Sequence, residues 1–219
     1  MGGKYRSVFD IIGPAMIGPS SSHTAGAVAI GRKARQIFAD EIKSVRVDHY
    51  ESFAMTHKGH GTDYALAAGV LGMEPDDSRV PQAVEVARDQ GIQIDFIEHT
   101  EPSPIHHPNT AILTIKNEHK EVVVAGCSVG GGTIELREIQ IDGVTIRPTG
   151  PLPMLLTWIQ VEQMFTIENM ITAGGSSVLK IITQEINQET VLVIYELDKR
   201  PNVKVLADLQ DACQQVVCL

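Results

Sequence analysis

The sequence NTAILTIKNEHKEVVVAGCS, residues 109–128, decides the fold class, because two strand-like runs flank a short polar segment. NTAILTIK and EVVVAGCS are rich in β-branched residues, and NEHK between them is typical of a hairpin connection. A second pair of runs, GTIELREIQI and VTIR, flanks Asp142-Gly143, a strong signal for a tight turn. Two consecutive hairpins predict an antiparallel sheet.

The second hairpin contains a change of phase. Ile134 and Leu136 share one phase, whereas the two isoleucines that follow them are shifted by one residue. A β-bulge near Arg137 and Glu138 would reconcile the two halves. Just before this strand, SVGGGT at residues 128–133 lacks the Lys-Ser/Thr of a phosphate-binding loop, so it predicts a sharp turn or bulge between strands.

Helices precede these strands. Apolar residues recur at three- and four-residue steps between His23 and Phe38, which predicts a helix with one buried face. VRVDHY then alternates like a strand, TDYALAAGVLG and VPQAVEVARDQG suggest short helices, and GIQIDFIEH suggests another strand. Thr62 or Asp63 would cap the first of these short helices. The first 150 residues therefore predict an α+β fold with mostly antiparallel strands and segregated helices. The buried face predicted for the helix between His23 and Phe38 consists of Ala27, Ile30, Ala34 and Ile37.

A domain boundary is expected at RPTGPLP, residues 147–153, where three prolines and a glycine interrupt regular structure. The runs MLLTWIQ, SVLKIITQEI and TVLVIYEL then suggest strands, and FTIENMITAGG and NVKVLADLQDACQQV suggest helices. The order β-α-β-β-α, with a few residues left for a last strand, is that of a small split-βαβ unit.

Composition and charge exclude several classes of protein. The net charge of −9 and the pI near 5.3 argue against a partner that is nucleic acid or an anionic membrane surface. No apolar run approaches the roughly 20 residues that cross a bilayer, and the N-terminal residues lack the apolar core of a signal peptide, so a cytoplasmic protein is expected. The 3 cysteines cannot supply a four-thiolate cage alone.

The segment IGPSSSHTAGA, residues 17–27, places several hydroxyl groups at the start of the first helix. One serine would satisfy the N-cap, so the additional hydroxyls exceed what capping requires. Helix N-termini attract anions, because unpaired N–H groups and the positive end of the macrodipole lie there. The pattern indicates a site for a small anion such as a carboxylate, and a well-capped helix with a polar loop is the alternative. The candidate groups are Ser20, Ser21 and Thr24, with the imidazole of His23.

A second polar segment, SFAMTHKGHGTD at residues 52–63, precedes the helix predicted at TDYALAAG. Gly59 and Gly61 flank His60, and flanking glycines let the backbone approach a ligand or adopt positive φ, which exposes the imidazole. Histidine side chains exchange protons near neutral pH, so His60 is a candidate proton acceptor. A solvent-exposed loop with Asp63 as an ordinary N-cap is the alternative.

The eight histidines show no spacing that is typical of metal sites. His106 and His107 are adjacent between two prolines, so their side chains are expected to diverge. No HExxH motif occurs. We therefore expect no metal site and no cofactor site within this chain.

The two polar segments together closely resemble the β chain of the iron–sulfur-dependent bacterial L-serine dehydratases. VFDIIGPAMIGPSSSHTAG and CSVGGGTIEL fit the same pattern, and the similarity runs from residue 4 to about residue 146. The remainder, from about Met154, resembles an ACT domain, a small ligand-sensing and dimerising module. The resemblance implies a domain over 1–147 like the allosteric substrate-binding domain of some 3-phosphoglycerate dehydrogenases. A linker would cover 148–153, and an ACT-like βαββα(β) domain would cover 154–219.

The resemblance also implies an activity, the conversion of L-serine to pyruvate and ammonia with a [4Fe–4S] cluster. The cluster cysteines belong to a separate α chain in this family, and an open iron there would act as Lewis acid on the serine hydroxyl. On this basis His60 would accept the Cα proton. The substrate-binding residues would be Ser20, Ser21, Ser22, His23 and Thr24, which hold the carboxylate at the chain interface, together with Gly61, Thr62 and Asp63, which orient His60.

The expected partners are therefore L-serine and the α chain, in a homodimer or heterotetramer. A purely regulatory module that senses serine or another anion is the alternative, and the glycine-flanked His60 favours the catalytic function. QVEQMFTI, at residues 160–167, lacks the Asp and Gly that usually follow the first strand of an ACT domain. The resemblance thus predicts dimer packing by this domain and does not extend to amino-acid regulation through the usual ACT pocket.

Overall fold

The computed structural model describes residues 15–219 and has an α+β fold, as the sequence predicts. The chain divides into two compact units, Met1–Ile141 and Asp142–Leu219. The stretch VFDIIGPAM and the start of the predicted first domain begin outside the described residues.

Between residues 15 and 146 the chain forms a six-stranded sheet and four helices. The strands are β1 (Ser44–Tyr50), β2 (Gln93–Glu98), β3 (Asn109–Lys116), β4 (Glu121–Gly130), β5 (Thr133–Ile141) and the short β6 (Val144–Ile146). The helices are α1 (Gly26–Phe38), α2 (Glu51–His60), α3 (Thr62–Val70) and α4 (Ala83–Asp89). A π-helical turn, Ser21–Ala25, leads into α1, and a 3-10 turn, Val80–Gln82, leads into α4.

The strand order is β2-β1-β3-β4-β5-β6. β1 pairs with β2 in parallel, which requires the crossover that α2, α3 and α4 provide, and the pairs β1–β3, β3–β4 and β4–β5 are antiparallel. Ala125 faces Glu138 while Gly126 faces Leu136, so Arg137 is the extra residue of a bulge. The predicted hairpins, the bulge and the turn at SVGGGT are confirmed.

Helix α1 packs against β4, β5 and α3. The four residues of its predicted apolar stripe are fully buried. Gly31 of α1 and Gly69 of α3 are required where the two helices meet, because a Cβ on Gly31 would lie 2.4 Å from the carbonyl oxygen of Leu66. A Cβ on Gly69 would lie 2.2 Å from the carbonyl oxygen of Val28. Helix α1, which follows the first polar segment, and helix α3, which begins at the end of the second, are thus held at close range.

The region predicted as a polar loop, residues 52–63, is mostly helical, which corrects the sequence-based interpretation. Helix α2 ends at His60, and Gly61 follows in the left-handed conformation with φ 71°. Thr62 is the first residue of α3, and no side chain caps this helix, so the cap predicted at Thr62 or Asp63 is wrong. Gly61 has the positive φ that the sequence suggested. This left-handed glycine lets α3 begin directly after α2.

The second unit contains a four-stranded antiparallel sheet of order β10-β7-β9-β8. Its elements are β7 (Met154–Ile159), a 3-10 turn (Val161–Gln163), α5 (Met164–Ala173), β8 (Val178–Glu185), β9 (Val191–Leu197), α6 (Val203–Ala212) and β10 (Gln215–Cys218). This order agrees with the predicted β-α-β-β-α arrangement. The core of the unit includes Leu155, Ile167, Ile171, Tyr195 and Leu209. No helix between residues 15 and 219 is long and apolar enough to cross a membrane.

Candidate functional site

The π-helical turn before α1 is capped by a serine of the first polar segment. Ser20 is extended, and its Oγ accepts a hydrogen bond from the backbone N–H of His23 at 3.2 Å. The carbonyl of Ser20 also accepts the N–H of Thr24 at 2.7 Å. The hydroxyls of Ser21 and Ser22 have no hydrogen-bond partner among residues 15–219. One serine therefore caps the helix, and two hydroxyls remain for other use.

The imidazole of His23 lies between two hydroxyl groups. Its Nδ1 is 3.2 Å from Ser20 Oγ, and its Nε2 is 3.2 Å from Ser52 Oγ on helix α2. The ring packs against Phe53 with centroids 5.2 Å apart. Since a hydroxyl can donate or accept, a neutral imidazole satisfies both contacts.

The two polar segments meet at His23 and His60. Their ring centroids are 4.8 Å apart in an edge-to-face arrangement, and Thr24 Oγ1 donates to the carbonyl oxygen of His60 at 3.4 Å. His60 Nδ1 and Thr62 Oγ1 are both buried and have no hydrogen-bond partner in the described part of the chain. Buried polar groups are usually paired, so these two atoms are available to a ligand or to water.

Strand β4 supplies another buried hydroxyl beside the π-helical turn. Ser128 is fully buried, and its Oγ has no hydrogen-bond partner within residues 15–219. A Cβ on Gly26 would lie 2.2 Å from this Oγ, so only glycine fits the start of α1 at this position. The turn and β4 are therefore in direct contact.

The electrostatics of this site favour a neutral His23. Burial lowers the pKa of His23, and the nearby His60 lowers it further by charge repulsion. The uncharged state leaves a nitrogen lone pair on the ring of His23.

A second histidine cluster surrounds Asp63. His57 Nδ1 lies 2.7 Å from Asp63 Oδ1, and His57 Nε2 lies 2.8 Å from Glu98 Oε1 on β2. His49 Nε2, from β1, is 2.9 Å from the same Asp63 oxygen. Burial opposes ionisation of Asp63, but the favourable interactions with the adjacent His49 and His57 outweigh it, so the pKa of Asp63 stays below its ordinary value.

The candidate residues from the sequence divide between these two clusters. Ser20, His23, Thr24 and His60 lie together, whereas the described polar contacts of Asp63 go to the histidines of the second cluster. Ser21 and Ser22 share the π-helical turn, and Gly61 and Thr62 directly follow His60.

Sequence reasoning missed Ser52, His49 and Glu98. Ser52 stands inside the second polar segment, so its position was a usable signal. His49 and Glu98 lie within strands, and they reach Asp63 and His57 respectively through tertiary packing, which no local pattern reveals.

The cysteines of this chain do not fit an iron–sulfur cluster. Cys127 is in the first unit, and Cys213 and Cys218 are in the second. Burial raises the pKa of Cys127 and of Cys213 to about 11, which disfavours the thiolates that cluster ligation needs. Within the described residues, the one group of three or more metal-ligating side chains contains no cysteine.

Comparison with known proteins gives a consistent group of relatives. The family profile "Serine dehydratase beta chain" matches residues 7–138. The chain is 41% identical to "Probable L-serine dehydratase, beta chain" of Bacillus subtilis, over 95% of this chain and 100% of that protein. It is 34% identical to "L-serine dehydratase, beta chain" of Peptoniphilus asaccharolyticus, over 88% and 87%. The match to "L-serine dehydratase TdcG" of Escherichia coli is 31% identical and covers 58% of this chain and 33% of that protein.

Proposed function

This chain belongs to the serine dehydratase beta chain family, and on that premise we propose that it is the β subunit of a two-chain L-serine dehydratase. The reaction converts L-serine to pyruvate and ammonia. The α chain carries the [4Fe–4S] cluster, because the cysteines of this chain do not fit one. The part assigned to this chain is to bind the serine carboxylate and to accept the Cα proton.

The contact between His23 and His60 carries this proposal. The centroids of these rings are 4.8 Å apart, so one amino acid can touch both polar segments at once. The unpartnered hydroxyls of Ser21 and Ser22 extend from the π-helical turn, where anions are favoured. These groups receive the carboxylate of serine, together with Ser20, His23 and Thr24 of the same segment.

His60 is the proton acceptor in this scheme. Its Nδ1 is buried without a partner in the described chain, and Gly61 in the left-handed conformation sets the direction in which α2 ends. The Cα–H bond of serine breaks, its proton moves to the imidazole of His60, and hydroxide leaves Cβ to give aminoacrylate. Tautomerisation to the imine and hydrolysis then release pyruvate and ammonia. Gly61 and Thr62 hold the imidazole in place, and Asp63 anchors the start of α3.

The direct test is His60→Ala in the complex reconstituted anaerobically with the α chain. We expect kcat to fall by about 10²-fold to 10⁴-fold, which is the usual contribution of a general base, while KM for serine changes little. His119→Ala is the matched control, since this side chain is 88% exposed and is distant in sequence from both polar segments. Near-normal kcat in His60→Ala would rule out this residue as the base.

The regulatory alternative makes a different prediction for the same assay. If this chain only senses serine, the α chain alone retains full turnover at low serine and His60→Ala changes activation rather than the chemical step. Full activity of the isolated α chain would therefore overturn the catalytic assignment. The glycine-flanked, unpartnered imidazole of His60 favours catalysis, because a sensor has no evident use for it.

A further inference from the structure

Three side chains from three elements converge on one point at the second histidine cluster. His49 comes from β1, His57 from α2 and Asp63 from α3, and their ligating atoms all lie within 4.8 Å of one another. Neither the serine site nor the proposed chemistry uses His49 or His57. Two imidazoles and a carboxylate form a donor set that suits Zn²⁺.

His49 provides the second observation. Its side chain is fully buried, yet neither ring nitrogen has a hydrogen-bond partner in the described part of the chain. Nε2 is only 2.9 Å from Asp63 Oδ1, but the oxygen lies off the direction of the ring N–H, so the contact is not a proper hydrogen bond. A buried imidazole nitrogen that lies beside a carboxylate but makes no hydrogen bond to it is well placed to bind a metal ion.

Glu98 completes the arrangement around His57. It lies 2.8 Å from His57 Nε2, and this contact makes that nitrogen the donor and leaves the Nδ1 lone pair directed at Asp63. Metal-binding histidines nearly always donate their second N–H to a carboxylate or carbonyl in this way. Without an ion, both nitrogens of His57 would need a proton to bond with two carboxylates.

The distances between the ligating atoms and the opening of the cluster to solvent are both compatible with a bound metal ion. Two donors on a tetrahedral Zn²⁺ are about 3.3 Å apart, given bonds of about 2.0 Å. The imidazole nitrogens lie 2.7 Å and 2.9 Å from Asp63 Oδ1, so each would move back from that oxygen by a fraction of an ångström, and the two nitrogens lie within 4.8 Å of each other. His57 and Asp63 also line a groove of about 350 Å³ that opens to solvent.

We infer that His49, His57 and Asp63 bind a divalent transition metal of the zinc class, with Glu98 as the outer-shell acceptor on His57. The ion fixes β1 to the junction of α2 and α3, which carries His60. This site departs from the sequence-based expectation of no metal in this chain. The test of this site is independent of the proposed function, because its readout is metal binding rather than turnover.

The test uses the full-length chain without a histidine tag, stripped with chelator and dialysed against ZnCl₂. We expect about one Zn²⁺ per chain, and four-coordinate visible bands when Co²⁺ replaces it. His57→Asn and His49→Asn should each weaken binding at least about 100-fold, and Glu98→Gln about 10-fold to 100-fold as an outer-shell change. His119→Asn, at an exposed position, is the control and should bind like the parent chain.

A thermal readout keeps the proposal testable if one variant folds poorly. An ion that binds only the folded chain raises Tm, so Zn²⁺ should raise Tm of the parent chain and of His119→Asn but not of His57→Asn. Circular dichroism establishes which variants are folded. Absence of stoichiometric Zn²⁺ from the parent chain would overturn the site, and so would undiminished binding in folded His57→Asn, since the ion would then lie elsewhere, for example on cysteines.

Discussion

Two imidazoles carry the candidate site, and their protonation states are linked by distance. His23 is held between the hydroxyls of Ser20 and Ser52, and the edge of its ring faces His60. A positive charge on one ring disfavours a positive charge on the other, because like charges repel. The lowered pKa of His23 therefore favours an uncharged ring beside the candidate base His60.

The repulsion between the two rings predicts a measurable shift in the pKa of His23. Burial comes first and repulsion from His60 second among the causes that lower the pKa of His23. His60→Ala removes the repulsion, so the pKa of His23 should rise while remaining lowered by burial. Titration of the imidazole Cε1–H signals by NMR measures this change. His119→Ala should leave the His23 titration unchanged, and an unchanged or lower pKa in His60→Ala would contradict the coupling.

Individual residues differ in how well the sequence predicts them. Ser20 as a cap and His60 beside a left-handed glycine follow from local rules about hydroxyls and glycine. The cluster of His49, His57 and Asp63 does not, because the spacings of 8 and 6 residues match no local motif. The packing of α2 against β1 and against α3 brings these side chains together.

At the scale of elements, the apolar pattern predicts strands better than it predicts α2. Alternation and β-branched residues identify β3, β4 and β5, and the change of phase identifies the bulge at Arg137. Helix α2 has no such pattern, since polar residues, Gly59 and only a few buried side chains fill it. Tertiary contacts with β1, β3 and the π-helical turn stabilise it instead.

The close contact between α1 and α3 yields an element-scale prediction. Gly31→Ala would push a methyl group against the backbone of α3, so the free energy of unfolding should fall by about 1–3 kcal/mol, as in overpacked cores. Gly59→Ala is the matched control, because this helical glycine has no atom within 4 Å of the added Cβ.

The control should move in the opposite direction. Alanine at position 59 should raise the free energy of unfolding by about 0.5–1 kcal/mol, since glycine costs more backbone entropy in a helix. Urea denaturation followed by circular dichroism measures both variants. Equal effects of the two substitutions would show that packing at Gly31 does not limit the approach of α1 to α3.

At the scale of the whole molecule, the proposed serine site lies within one of the two compact units. All candidate serine-site residues, and Ser128 beside them, lie in the first unit, and the family profile ends at residue 138 within that unit. The second unit has its own apolar core on a four-stranded sheet. The prolines at residues 147–153 predict a boundary a few residues after the division at Ile141, and both that boundary and the assignment of the residues after it as an ACT-like domain stay predictions.

A shortened chain tests this separation. Residues 1–147 retain β6, which completes the six-stranded sheet, so this chain is expected to fold alone and to support serine turnover with the α chain within a few-fold of the full-length complex. Cooperative urea unfolding establishes the fold, and pyruvate formation gives kcat and KM. His60→Ala in the shortened chain must abolish most of that turnover. If the shortened chain folds but supports no turnover, residues after 147 contribute to the active complex, and the serine site extends beyond the first unit.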